Sequence, residues 1–475
     1  MNKEAVIKVI IGFVLVLFNS NFVLAGVVLD TTFNGSGVLV SNLNGGECTD
    51  IVKDSNNRLV IVGDSLNISG SNTDMTIWRY NSDGTLDTSF NSVGYVKHDN
   101  AAGGNTDDYG NSVALDSTGR IIVAGFSMSP TDNDMVIWRY NSTGTLDTSF
   151  NGTGFVVFNN AAGGNGDDLG NSIIIDSNGK IIVAGYSNNG TNNDMVIWRY
   201  NSDGTLDTSF NGTGIVVHNN AGGANSHDKG NSITMDSSGK IIVAGESRGV
   251  ANYDMAIWRY NSNGTLDASF NGVGYVTHNN AGGGNAYDTG LSVVVGSSGK
   301  ILVAGYSNAV SNQDMTIWRY NSDGSPDTSF NGIGYITHRS AAGGTGTDWG
   351  AVLIVESNDR ITVGGSSVKA LGGSLMTVWK YAFTAPVVLD NIKGYPNPFN
   401  PNRSPAIQFK NLTAGAIVRI YTVSGQKINE VAADTFGIAS WNGTNSSGSA
   451  VASGIYLGYV SDGTNKKTIK IAVEK

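Results

Sequence analysis

The sequence contains a single cysteine, Cys48, among 475 residues, which excludes a disulfide within the chain. It has five histidines, and it lacks an HExxH zinc motif, a glycine-rich phosphate loop and a Ser-His-Asp signature. Charged residues make up 14% of the chain and the net charge is −10, which opposes binding to nucleic acids and anionic membranes. We therefore expect no nucleic-acid partner, no catalytic residues and no cofactor, apart from a candidate Ca²⁺ site.

Long apolar runs are also scarce, and the main one lies near the start of the chain. Lys3 and Lys8 precede the apolar residues 9–18, and Ala25 precedes Gly26. A basic start, a short apolar run and a small residue predict a secretory signal over residues 1–25, cleaved between Ala25 and Gly26. The alternative is a retained membrane anchor, although the run is short for a bilayer. We expect a secreted or outer-surface protein without a transmembrane anchor in the mature chain.

Glycine, in contrast, is abundant, with 64 residues, and the chain is strongly repetitive. A Trp-Arg-Tyr motif recurs every 60 residues, and a sixth unit has Trp-Lys-Tyr one residue later. The tryptophans of this motif are Trp78, Trp138, Trp198, Trp258, Trp318 and Trp379. A fixed period of this length indicates a solenoid or a propeller.

Each unit contains short runs that are typical of β-strands. Ser232–Met235 and Lys240–Ala244 are apolar, largely β-branched runs joined by a turn that ends in Gly239. Met195–Tyr200 is followed by a second turn and then by Thr205–Phe210, which we interpret as the fourth strand. The strands are apolar on both faces, so each sheet must be covered on both sides, as in radially arranged four-stranded sheets.

The two ends of the array predict how it closes. A Leu-Asp-Thr-Thr-Phe segment at Leu29–Phe33 precedes the first complete unit, whereas the last unit ends at Tyr381 without such a segment. We therefore predict an all-β fold in which residues 26–382 form a six-bladed β-propeller closed by the N-terminal strand, which leaves no free sheet edge. The alternative is an open solenoid, which would need polar caps at both ends.

Two repeated motifs carry a resemblance to a known family. Asp203–Phe210 reads DGTLDTSF and Ser238–Gly245 reads SGKIIVAG. This pattern resembles the delta-60 repeat family over residues 26–382, and more weakly the NHL-type propellers. The resemblance implies an exported, propeller-like protein and implies no particular reaction.

A different module follows a linker at residues 383–390. Residues 391–475 contain short predicted strands separated by Gly, Asn and Ser turns, which indicates a small immunoglobulin-like β-sandwich. Its motifs PNPF, WNG and SGIY resemble the C-terminal sorting domains of the type IX (Por) secretion system and the related domain of the flagellar hook-capping protein. The resemblance implies a bacterial protein that engages an outer-membrane secretion machinery. A plain stalk or adhesion domain is the alternative.

Charged residues that recur in the predicted core require partners. Each third strand carries a cation: Arg79, Arg139, Arg199, Arg259 and Arg319, with Lys380 in the sixth unit. An aspartate recurs shortly after each: Asp87, Asp147, Asp207, Asp267 and Asp327, with Asp30 in the N-terminal segment. Because an unpaired buried guanidinium is costly, we predict structural ion pairs between the two sets.

A second aspartate set is the candidate metal site. Asp108, Asp168, Asp228, Asp288 and Asp348 each precede the predicted innermost strand, in loops that we place near one mouth of the channel. A ring of carboxylates with nearby amide and carbonyl oxygens could hold Ca²⁺. Alternatively, each aspartate accepts backbone N–H groups and fixes its own loop. A third set, Asp74, Asp134, Asp194, Asp254 and Asp314, is interpreted as structural.

The units diverge most between the second and third strands, where a rigid scaffold would present binding loops. We therefore expect a binding or adhesion module whose partner is a surface protein or glycan. An extracellular hydrolase-like or lactonase-like propeller enzyme and a self-assembling surface protein are the alternatives. The repeated tryptophans are expected to be core residues rather than sugar-stacking residues.

Overall fold

The structure is a computed structural model that describes residues 32–475 except 37, 42, 44–45, 68–69, 285, 310–311, 357–359, 371, 382–391, 411, 413–415, 435–437 and 462–465. The predicted signal segment, including Ala25 and Gly26, and the predicted linker lie outside the described residues. The described part of the chain contains β-strands and no helix, which confirms the all-β prediction.

Five antiparallel four-stranded sheets follow one another, with their strands in chain order. Blade one contains β1 (Glu47–Lys53), β2 (Leu59–Leu66), β3 (Thr73–Tyr80) and β4 (Tyr95–His98). Blade two contains β5 (Asp108–Leu115), β6 (Ile121–Met128), β7 (Asn133–Tyr140) and β8 (Phe155–Phe158). Blade three contains β9 (Asp168–Ile175), β10 (Ile181–Asn188), β11 (Asn193–Tyr200) and β12 (Ile215–His218).

The remaining blades repeat this arrangement. Blade four contains β13 (Asp228–Met235), β14 (Ile241–Arg248), β15 (Tyr253–Tyr260) and β16 (Tyr275–His278). Blade five contains β17 (Asp288–Val295), β18 (Ile301–Asn308), β19 (Gln313–Tyr320) and β20 (Tyr335–His338). Blade six contains three strands in the described residues: β21 (Gly343–Val355), β22 (Ile361–Lys369) and β23 (Ser374–Tyr381).

The fourth strand is not the segment that the sequence suggested. In blade three, Thr205–Phe210 makes a single bridge from Leu206 to Tyr200 and then turns, whereas β12 pairs with β11. The Asp207 carboxylate accepts hydrogen bonds from the backbone N–H and the hydroxyl of Ser209, at 3.2 and 2.6 Å. A short polar side chain that bonds to nearby backbone favours a turn over a ladder. Four strands per unit are therefore confirmed in blades one to five, but the position of the fourth was wrong.

This correction changes which N-terminal residues could complete blade six. Repeat alignment places Val38–Ser41 at the position of β12, directly after the Phe33 turn. In the described residues Val38–Ser41 belongs to no ladder. The Asn34 N–H donates to the Asp83 carbonyl at 2.6 Å. The equivalent asparagine of each of the first four blades donates in the same way to the turn of the next blade. Part of the proposed strand, residues 29–31, lies outside the described residues, so ring closure stays a prediction.

The chain divides into two compact units, and the apolar contacts between successive blades form the core of each. The first unit contains Met1–Asn220, Asn225–Ile233 and Ser262–Thr265, and the second contains the remaining residues. The motif tryptophans are buried, with 0% exposure at Trp138, Trp198, Trp258 and Trp318. In the first unit, Trp198 of blade three packs with Ile137 and Phe150 of blade two. The prediction that the tryptophans are core residues is confirmed.

The C-terminal β-domain contains two sheets around its own core. The first sheet contains β24 (Gly394–Tyr395), β25 (Ile407–Phe409) and β28 (Ala439–Trp441), in the order β24-β25-β28. The second sheet contains β26 (Ile417–Thr422), β27 (Lys427–Ala432), β29 (Gly454–Ser461) and β30 (Lys466–Val473), in the order β27-β26-β29-β30. Phe399 of the PNPF motif is fully buried, and its backbone bonds to Ala472 and Glu474 at 2.7 and 2.9 Å. This motif therefore attaches the start of the domain to its last strand.

Candidate functional site

The candidate metal ligands are strand residues rather than loop residues. Asp108, Asp168, Asp228 and Asp288 are the first residues of β5, β9, β13 and β17, and Asp348 lies within β21. Each is at most 1% exposed. The loop placement in the sequence interpretation was therefore wrong: these strands begin earlier than the apolar run because the aspartate itself pairs in the ladder, as Asp108 does with Ser127.

The contacts of these aspartates are those expected for fixing a loop. The Asp108 carboxylate accepts the backbone N–H groups of Asn100 and Ala101 at 2.7 and 3.4 Å. The corresponding first bond recurs at 2.7 to 2.8 Å in the other four blades. Burial raises the pKa of Asp108, and the Ser127 hydroxyl and the two backbone N–H groups oppose that rise.

These contacts bear on the Ca²⁺ prediction. The carboxylate oxygens already accept hydrogen bonds from their own loops. Within the described residues, no group of three or more His, Cys, Asp or Glu side chains is arranged to hold a metal ion. The geometry favours the loop-fixing interpretation, and Ca²⁺ binding stays a prediction.

In blades two to five, the third aspartate set forms a row with the second at one end of the blade. In blade two, Asp134 of β7 lies opposite Ser127 of β6, which lies opposite Asp108 of β5. The first and third strands begin at this end and the second strand ends there. We call this end of the blades the loop face.

The five aspartates of the third set differ in their partners. In blade three, the amide nitrogen of Asn189 donates to both oxygens of Asp194 at 3.0 and 3.1 Å. In blade five, the guanidinium of Arg339 binds Asp314 at 2.8 to 3.1 Å. In blades one, two and four, one carboxylate oxygen of the corresponding aspartate is buried and has no hydrogen-bond partner among the described residues: Asp74, Asp134 and Asp254.

The missing donors change the acidity of these carboxyl groups. Burial, together with the nearby Asp132 and Asp168, raises the pKa of Asp134 to about 6. Burial and Asp288 raise the pKa of Asp254 to about 6 in the same way. The sequence did not reveal this difference between blades, because it depends on the residues at positions 189 and 339, which come close to the carboxylate only in the folded chain.

The predicted arginine–aspartate pairs are confirmed in blades one to five. In blade four, Arg259 Nε lies 2.7 Å from Asp267 Oδ2, and its guanidinium lies 4.6 Å from the centre of the Phe270 ring. The Arg259 Nη1 also donates to the carbonyl of Ser322 in blade five. In blade six, Lys380 pairs with Glu356 instead, at 2.6 Å. Arg79, Arg139, Arg199 and Arg259 each donate to a backbone carbonyl of the next blade, so these arginines connect successive blades.

Aromatic side chains contribute to the loop face in ways that the sequence analysis missed. Tyr109 stacks on Phe126 with ring centres 4.8 Å apart, and Lys229 lies 4.8 Å from the centre of the Tyr186 ring. Tyr253 of blade four stacks on Tyr287, which directly precedes the first strand of blade five, with ring centres 5.4 Å apart. The divergent segments between the second and third strands, which the sequence indicated, include Phe126 and Tyr186. Tyr109, Tyr253 and Tyr287 lie outside those segments, on a first or third strand or directly before a first strand. Their divergence between units was the signal that could have identified them.

Comparisons with known proteins agree with this architecture. A family model described as "Domain of unknown function (DUF5122) beta-propeller" matches residues 55–90, 117–150, 177–210, 237–270 and 296–330. A second model, described as "Secretion system C-terminal sorting domain", matches residues 393–474. A search of the curated proteins finds no match. In the described residues, no helix has the length and apolarity needed to cross a membrane.

The chain is also similar to solved structures at low sequence identity. One is PorZ, an essential surface component of the type IX secretion system of Porphyromonas gingivalis, with 15% identity, a TM-score of 0.40, and coverage of 92% of this chain and 53% of that one. This chain thus spans about half of that chain's length. A Dyadobacter fermentans protein of unknown function gives 11% identity and a TM-score of 0.43, covering 72% and 96% of the two chains.

A GH93 α-L-arabinofuranosidase of Fusarium graminearum gives 9% identity and a TM-score of 0.39, covering 72% and 95% of the two chains. At such identities and scores, these neighbours carry no argument about activity. The family matches, in contrast, cover the repeats and the tail separately. The chain carries DUF5122-type β-propeller repeats followed by a type IX C-terminal sorting domain, which directs the protein to the cell surface or the extracellular space.

Proposed function

We propose that this exported propeller is a binding or adhesion module that recognises a surface protein or glycan through its loop face. The observation that carries the proposal is the contrast between a constant scaffold and a variable loop face. Val123, Trp138 and Phe150, for example, are fully buried core residues with equivalents in several blades. The residues that differ in charge and aromatic character are concentrated at the loop face, where rigid strands position them.

The histidines support a binding function over a catalytic one. His98, His218 and His278 occupy equivalent positions at the ends of outer strands, and burial lowers the pKa of each to about 4. His98 Nδ1 is 2.8 Å from the Tyr140 hydroxyl, and His227 Nδ1 accepts the Asn193 N–H at 3.2 Å. A general base must be accessible and have a pKa near the working pH. These histidines are instead engaged in contacts between blades.

The experiment that tests this function uses the mature full chain. It should be screened against glycans and against surface proteins of the producing cells, beside a variant in which residues 248–253 are replaced by the equivalent residues 188–193. We expect the wild type to bind at least one partner and the variant to lose that binding while keeping its melting temperature. Absence of any bound partner, or equal binding by both proteins, would contradict a loop-face binding function.

A further inference from the structure

Three residues of the second unit depart together from the repeat pattern at the loop face. Arg248 ends β14, Tyr253 begins β15, and Tyr287 directly precedes β17. The equivalents of Arg248 are Leu66, Met128, Asn188 and Asn308. The equivalents of Tyr253 are Thr73, Asn133, Asn193 and Gln313, and those of Tyr287 are Asp107, Asp167, His227 and Thr347. No other unit has a phenol ring or a cation at any of these positions.

The three side chains contact one another in order. The rings of Tyr253 and Tyr287 are stacked, with their centres 5.4 Å apart and their planes inclined by 25°. The Arg248 guanidinium carbon lies 5.6 Å from the centre of the Tyr253 ring. Tyr287 is 48% exposed, and the neighbouring Val250 is 93% exposed. A continuous row of one cation and two aromatic rings is therefore accessible from solvent.

The fold does not require this row. At the same junction in other blades, a backbone N–H donates to a side chain of the following loop: Thr73 to Asp107 at 2.8 Å, Asn133 to Asp167 at 3.1 Å, and Asn193 to His227 at 3.2 Å. A hydrogen bond therefore holds this junction elsewhere in the same chain. The stacked tyrosines keep apolar ring surface in contact with water, which a purely structural link avoids.

The chemistry of the row selects the class of ligand. An exposed tyrosine offers an apolar ring face and a hydroxyl, which suits a flat ligand that has both apolar and polar surface, such as a sugar ring. Arg248 covers one side of the aromatic pair and repels a cationic ligand, whereas its planar donors match a carboxylate. The nearby carboxylate of Glu246 accepts the Thr289 hydroxyl at 2.8 Å and so is already engaged.

We propose that Arg248, Tyr253 and Tyr287 form a carbohydrate-binding site for a saccharide that carries a carboxylate. The tyrosine rings pack against the apolar face of the sugar, and the guanidinium donates hydrogen bonds to the carboxylate. The proposal rests on the proposed binding function and names the ligand class and the three residues, at the junction of blades four and five, that recognise it.

The experiment is a calorimetric titration of the mature full chain with oligogalacturonate, and in parallel with a neutral galactose oligomer of the same length. The variants Arg248→Asn, Tyr253→Asn and Tyr287→Thr restore residues that other blades already contain, so the fold accommodates them. Tyr109→Leu, which takes the residue found at Leu169, is the matched control because it removes the other stacked pair. Melting temperatures are measured for every protein.

We expect wild type and Tyr109→Leu to bind oligogalacturonate at least tenfold more tightly than the neutral oligomer. Each tyrosine variant should weaken binding about tenfold or more, and Arg248→Asn should remove the preference for the acidic oligomer. Absence of acidic-saccharide binding by the wild type overturns the proposal, as does equal binding by all variants. If the wild type binds no acidic saccharide, yet replacement of residues 248–253 removes binding of a partner found in the wider screen, the proposed function survives and only this ligand class is wrong.

Discussion

Replacing Asp134 with asparagine should stabilise the protein at neutral pH, even though five units share an aspartate at this position. Asp134 is 6% exposed, and one of its carboxylate oxygens is buried with no hydrogen-bond partner in the part of the chain that the structure describes. Burial and the carboxylates of Asp132 and Asp168 raise its pKa from 3.8 to about 6. The charged form is therefore disfavoured in the folded protein.

The sign and size of the effect follow from this pKa. Between about pH 4 and pH 6 the folded state binds more protons at Asp134 than the unfolded state, so the free energy of unfolding falls as the pH rises through this window. Above the pKa of the folded state, the charged carboxylate lowers the free energy of unfolding by its full amount. A shift of about two pKa units corresponds to about 3 kcal/mol without screening. Because the group lies at the end of a strand near solvent, screening reduces this to about 1 kcal/mol.

The assay is urea unfolding of the mature chain at pH 7.5 and pH 4. Asp134→Asn should raise the free energy of unfolding by about 1 kcal/mol at pH 7.5 and by about zero at pH 4, relative to wild type at the same pH. Asn159→Arg, which places a guanidinium where blade five has Arg339, should also stabilise at pH 7.5. Conversely, Asn189→Ser removes the donor to Asp194 and should destabilise by about 1 kcal/mol. A loss of stability in Asp134→Asn at pH 7.5, or an effect independent of pH, would refute the reasoning.

Four further outcomes follow from the same structure. Asp267→Asn leaves the buried Arg259 guanidinium without its carboxylate and should cost about 3 kcal/mol in urea unfolding, whereas Lys380→Ala breaks an exposed pair and should cost at most about 0.5 kcal/mol; equal costs would contradict the assigned burial. The lowered pKa of His278, about 4, means that the unfolded state binds more protons between about pH 4 and 6.5, so stability is lost as the pH falls through this window. His278→Phe, which takes the residue of Phe158, should reduce that loss by about 2 kcal/mol in melting curves, and an unchanged acid sensitivity would exclude this histidine as a cause. Removing residues 26–42 deletes the bond from Asn34 to Asp83 and should lower the melting temperature by several degrees, whereas an unchanged midpoint would show that this segment adds no stability. Deleting residues 393–475 should abolish the protein's appearance at the surface and in the medium by immunoblot, and continued export would contradict the role of the tail.

The repeat allowed most of the strand pattern to be predicted, but not the choice between two candidates for the outer strand. Thr205–Phe210 and Ile215–His218 both have β-forming residues, and only the side-chain bonds of Asp207 to Ser209 make the first a turn. The partnership of Arg259 with Asp267 was predictable because a buried charge needs an opposite charge.

The loop face was less accessible to sequence reasoning. Tyr253 and Tyr287 are far apart along the chain, on different blades, and only the register of neighbouring strands brings their rings together. Likewise, whether Asp134 has a hydrogen-bond donor depends on which loop residues approach it in the folded chain, and no local sequence pattern reveals that proximity.

The arginine contacts between blades have a consequence for how such a protein changes over time. Arg199 donates to the carbonyl of Ser262 in the same way that Arg259 donates to Ser322, so each blade offers its neighbour the same surface. A newly duplicated 60-residue unit would therefore pack against the unit on either side without compensating substitutions. Blade number can then vary by copying whole units, while the loops of each copy are free to acquire a specificity of their own.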